Sequence, residues 1–154
     1  MKIGFATVFL MVLITLQAPV LLAGDSSELR AEADQYYLER NFKKAYKIYF
    51  KLAKTGDHHS QGRVSQMFVN GEGKSVDLTE AYAWSVLAEE GGKVGLTQSS
   101  DVLLQRTSDQ SVAQKKALKL KKKYGQQALN EKALKRAQAD AARRSGSMGS
   151  NLSR

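Results

Sequence analysis

The chain has 154 residues, 42% of them hydrophobic and 25% charged, with a formal net charge of +9. That length predicts a single domain, large enough for about three or four helical hairpins around a modest core. There is no cysteine, which excludes disulfides, thiolate metal sites, a cysteine nucleophile and lipid attachment of the bacterial lipoprotein kind.

Residues 1–23 form a separate object. Lys2 gives a positive start, Ile3 to Leu16 is apolar without a charge, Pro19 breaks the run, and Ala23 precedes Gly24–Asp25. This is the pattern of a secretory signal peptide cleaved after Ala23. The alternative is an uncleaved anchor in the inner membrane over residues 3–23, since an apolar run of about 20 residues can span a bilayer.

Apolar spacing then predicts helices over 26–40, with Ser26 or Ser27 as cap, and over 42–55, carrying Phe42, Ala45, Ile48, Tyr49 and Leu52. Helices at 58–69 and 78–90 follow, joined by a turn that Gly71 and Gly73 make possible; Gly91–Gly92 stops the second. Beyond them come helices at 95–105 and from Thr107, with Gln110 completing a capping box, to Tyr124.

A repeat links the first two hairpins. Asn41 to Tyr46 lies 36 residues before Asp77 to Tyr82, so that Ala45 matches Ala81; at the same offset Ile48 matches Trp84, Leu52 matches Ala88 and Gly56 matches Gly92. Coincidences at one period are the mark of a stacked repeat array.

Ser60, Val64, Ser65, Met67, Phe68, Gly71, Gly73, Asp77, Glu80, Ala81, Trp84, Ala88 and Gly92 resemble the pattern of the Sel-one-like repeats, relatives of the tetratricopeptide arrays. Lys74 and Glu89 depart from it, Ser65 replaces a usual glycine, and Arg106 to Gln110 is similar to the helix start that closes many such arrays. The resemblance covers about residues 28–123 and implies an all-α, right-handed α-solenoid of stacked helical hairpins over 24–124. It further implies a non-enzymatic scaffold or adaptor for a protein partner in the bacterial cell envelope, periplasmic or secreted, with no cofactor and no small-molecule substrate.

The end of the chain changes character. Residues 115–144 hold eleven Lys and Arg against Glu131 and Asp140, a net +9, whereas 24–114 hold eleven basic and thirteen acidic residues, a net −2. Residues 125–144 are predicted to extend the fold as a basic helix, and 145–154, rich in Ser and Gly, to be disordered. Lys115, Lys116, Lys119, Lys121, Lys122 and Lys123 are either a solvated face or a dock for an anionic envelope surface of lipid or lipopolysaccharide. Export makes nucleic acid an unlikely partner.

His58–His59 follows Asp57, but adjacent helical residues point about 100° apart and cannot share a metal as an i, i+4 pair would, so both read as surface residues. Gly71-x-Gly73 joins two helices and does not follow a strand, as a phosphate loop must. Trp84 falls on an apolar stripe and belongs to the core. Tyr36, Tyr37, Tyr46, Tyr49 and Tyr82 divide between packing and recognition. Glu89–Glu90 reads as a solvated helix end, and no residue set forms a catalytic constellation. For recognition the expectation is Arg63, Gln66 and Asn70, one polar stripe beside the core face of helix 58–69, with Tyr82 at the groove edge.

Overall fold

The computed structural model describes residues 24–92 and 98–150. The expected signal peptide lies outside them, as do residues 93–97 and 151–154. Seven helices follow in order: α1 (Gly24–Leu38), α2 (Phe42–Ala53), α3 (His58–Asn70), α4 (Leu78–Glu90), α5 (Ser100–Arg106), α6 (Gln110–Tyr124) and α7 (Gln126–Ser150). There is no strand among the described residues. The all-α expectation is met.

Packing follows chain order: α1 lies on α2, α2 on α3, α3 on α4, α4 on α5 and α6, and α6 on α7. Short caps and small residues explain how the hairpins fit together. Asp57, Asp77 and Asp109 each accept a hydrogen bond from the backbone N–H three residues on, at 2.7, 2.9 and 3.0 Å, which satisfies one orphan donor of each helix start. Four residues after Asn41, Asp77 and Asp109 stand Ala45, Ala81 and Ala113, each fully buried. A methyl group at these points lets neighbouring helices approach closely. The motif thus occurs a third time, at α6.

Four details of the sequence reading change here. Thr107 is the C-cap of α5 rather than the cap of the next helix; Asp109 takes that role. Ser26 and Ser27 lie within α1, which begins at Gly24. Helix α5 begins at Ser100, and α7 carries the backbone through Ser150, beyond the expected end of the basic helix at 144. Gly56, Gly71, Gly73 and Gly92 all have positive φ, as does Arg40, which closes the first hairpin where the second uses glycine.

The core is one cluster built around Trp84, Tyr49, Met67, Leu87, Leu103 and Val64. Residues that depart from the repeat pattern turn out to be structural. Ser65 is buried and donates to the Ala81 carbonyl at 2.7 Å, joining α3 to α4. Glu89 accepts from both the N–H and the hydroxyl of Ser100, each at 2.7 Å, and so holds the start of α5. Glu90 pairs with Lys121 at 2.8 Å. These two carboxylates are therefore tied to other helices and are not a solvated end. Lys74 sets its ammonium 5.2 Å from the Tyr46 ring.

Candidate functional site

The recognition stripe expected on α3 is assembled with residues from neighbouring elements. Arg63 Nη1 donates to Gln66 Oε1 at 3.2 Å, and the Arg63 guanidinium stands 5.1 Å from the Tyr37 ring of α1. Asn70 donates to Glu72 Oε1 at 3.3 Å, and Glu72 Oε2 accepts from the Tyr37 hydroxyl at 2.9 Å. Arg63, Gln66 and Asn70 thus form one polar patch with Tyr37 and Glu72, two residues that periodicity on α3 could not reveal. Tyr82 sits elsewhere: it lies on α4, half-buried, in the field of Asp101 and Glu89.

The patch continues toward the start of α3. Arg30 of α1 pairs with Asp57 at 3.0 Å, and Asp34 accepts a short hydrogen bond from the Tyr49 hydroxyl. His59 lies among these groups. Burial holds its imidazole below the ordinary value, helped by Arg30 and Arg63 against the opposing pull of Asp57 and Asp34. The site therefore favours the neutral imidazole of His59. Its Nδ1, Arg30 Nε and Arg63 Nε are buried polar atoms that lack a partner among the described residues. Such atoms are costly in a closed core and belong where a ligand or water completes them.

The histidines are not simple surface residues. His58 Nδ1 lies 2.9 Å from Gln61 Oε1 and 3.0 Å from the Leu87 carbonyl, so it ties α3 to α4, and its ring packs on Gly91.

The lysine run divides among three environments. Lys116 pairs with Glu80 of α4, and with Lys119 and Lys123 it lines a cleft between helices. Lys121 and Lys122 face a second cavity between α6 and α7, of about 370 Å³. Lys115 is exposed. The spacing of three and four among Lys116, Lys119 and Lys123 was the available signal for this division.

No protein-family model, no curated protein and no solved structure matches the chain.

Four tyrosine hydroxyls are shifted upward. Burial is the leading cause for Tyr37, Tyr46, Tyr49 and Tyr82; Glu72 adds to it at Tyr37 and Asp34 at Tyr49. Tyr46 is pushed up to about 12. An unfolded tyrosine titrates near ~10, so the folded protein holds these protons more tightly. Their contribution to stability is complete below pH ~10 and is lost as the pH rises through the folded values. Melting temperature should therefore fall steeply above pH ~10, and Tyr46→Phe should flatten part of that fall. An unchanged slope in Tyr46→Phe would remove Tyr46 from the account.

Proposed function

We propose that this chain is a non-enzymatic scaffold of the bacterial envelope, an exported Sel-one-like array whose hairpins stack as a right-handed α-solenoid and hold a protein partner. The observation that carries this reading is the α1–α3 face. There Arg63, Gln66 and Asn70 lie beside Tyr37 and Glu72, and buried polar atoms of Arg30, His59 and Arg63 are left without partners among the described residues. A rigid face with unfilled hydrogen-bonding capacity favours a partner by reducing the ordering cost of association. Aromatic and arginine side chains are the types that dominate such contacts.

Replacing Arg63, Gln66 and Asn70 together by alanine should leave helicity nearly unchanged and lower the melting temperature modestly, because the half-buried Arg63 gives up its contact with the Tyr37 ring, worth about 0.5–2 kcal/mol, and its bond to Gln66. Capture of the partner from envelope extract, measured against the parent by quantitative mass spectrometry, should fall at least tenfold, about 1.4 kcal/mol. Undiminished capture places the interface elsewhere.

A second reading rests on α7. Lys132, Lys135, Arg136, Arg143 and Arg144 are all exposed on it, with Leu134 60% exposed among them. In that case the helix docks on an anionic envelope surface and the repeats support it. Among the described residues no helix is long and apolar enough to cross a membrane, so this would be adsorption through charge and weaken steeply with salt. Reversing Lys132, Lys135 and Arg136 to glutamate should abolish vesicle binding on this reading and leave partner capture intact on the first.

A further inference from the structure

The second helices of the hairpins, α2, α4 and α6, enclose a cleft of about 240 Å³ with an aromatic floor and a cationic rim. The floor is a continuous ladder of rings. Tyr46 stacks on Phe50 at 5.3 Å, Phe50 meets Trp84 edge-on at 5.5 Å, and Trp84 stacks on Tyr124 at 5.8 Å. Lys116, Lys119 and Lys123 line one side. Among the described residues lining the cleft Glu80 is the one carboxylate, and Lys116 already neutralises it. Lys119 and Lys123 leave the rim positive.

Three further features bear on what fits. The ammonium groups of Lys54, Lys74 and Lys123 stand over the Phe50, Tyr46 and Tyr124 rings at 4.7, 5.2 and 5.1 Å. Exposed contacts of this kind are worth only ~0.5–1 kcal/mol, so an incoming group displaces them cheaply. The Trp84 indole, 1% exposed, has its Nε1–H buried without an acceptor among the described residues. The cleft is smaller than the ~300–1,000 Å³ typical of whole small-molecule sites, so it suits one large side chain.

From this the geometry points to a docking site for an acidic peptide segment of a protein partner, one that inserts an aromatic or large apolar side chain onto the ring ladder while flanking carboxylates pair with Lys119 and Lys123. A flat layer of lipid headgroups offers the charge but presents no single side chain to fill a cleft lined by Tyr46, Phe50 and Tyr124. The site is separate from the α1–α3 face and stands independently of the function proposed above.

Trp84 is the chain's one tryptophan, so its emission reports directly on the floor. The full chain is titrated with a short synthetic peptide of alternating glutamate and phenylalanine, and in parallel with an all-glutamate peptide of equal length. The expected result is a saturable change in Trp84 emission with the first peptide and at least tenfold weaker binding of the second. The double variant K119E/K123E should weaken binding at least tenfold, whereas K115E/K122E, the same charge change outside the cleft, should weaken it less than threefold. Circular dichroism melts establish that each variant is folded; should K119E/K123E melt early, K119Q/K123Q takes its place. The proposal is overturned by unchanged emission with the peptide, by equal losses in the two variants, or by equal binding of the all-glutamate peptide. It is also overturned if phosphatidylglycerol vesicles change the emission and the peptide does not, which would assign the lysines to lipid.

Discussion

Trp84→Ala is expected to cost ~3–5 kcal/mol of stability, the range for truncating a large buried aromatic side chain. The indole is 1% exposed and is held between Phe50 of α2, edge-on, and Tyr124 of α6, stacked. It therefore joins three helices, and its loss removes contacts on both sides of α4. Ring pairs of this kind add ~0.5–1.5 kcal/mol beyond the area they bury. For a small domain, whose whole stability is commonly ~5–15 kcal/mol, that loss is a large fraction. Denaturant titration followed by circular dichroism measures it, since the variant has no tryptophan emission. Trp84→Phe keeps a ring in place and removes the unpaired Nε1–H, so it should cost clearly less than alanine. A Trp84→Ala protein that melts within a few degrees of the parent would mean the ring ladder is not the centre of the core.

The parts of this fold that were legible in the sequence are those set by local physics. The turn glycines Gly71, Gly73 and Gly92 and the burial of Ala45, Ala81 and Trp84 follow from helical period and repeat spacing. The Thr107–Asp109 stretch shows where local signals fail. Both residues are good caps, but Thr107 is engaged in closing α5, its hydroxyl donating to the Leu104 carbonyl at 2.7 Å, and Asp109 is left to start α6. Glu89, His58 and Lys74 were opaque for another reason: their partners, Ser100, the Leu87 carbonyl and the Tyr46 ring, lie 11 to 29 residues away in sequence. No short-range pattern encodes such a pairing. The candidate face was half legible. One stripe of α3 predicts that Arg63, Gln66 and Asn70 share a side, but only the packing of α1 on the α3–α4 turn adds Tyr37 and Glu72.

Gly73→Ala should destabilise the protein by more than ~2 kcal/mol, and Gly92→Ala by only ~1–2 kcal/mol, although both glycines have nearly the same backbone conformation. Their φ angles are 73° and 68°, and a side chain in that left-handed region costs ~1–2 kcal/mol at either position. The surroundings differ. A Cβ on Gly73 would lie 2.5 Å from the Phe42 carbonyl oxygen and 2.8 Å from its carbon, whereas one on Gly92 meets nothing within 4 Å. The obstacle at Gly73 is backbone at the start of α2, which cannot rotate aside as a flexible side chain would. Either the turn between α3 and α4 lifts away, or α2 shifts. A shift of α2 disturbs the Phe42 ring where it meets Tyr37 at 5.3 Å, and lifting the turn strains the Tyr37–Glu72 hydrogen bond beside it. Gly73→Ala should therefore also weaken partner capture through the α1–α3 face, and Gly92→Ala should not. Denaturant titrations of the two variants side by side isolate the steric part, since the conformational part cancels in the difference. Equal losses in the two would mean that the turn does not press on α2, and that Gly73 is required for its φ angle alone.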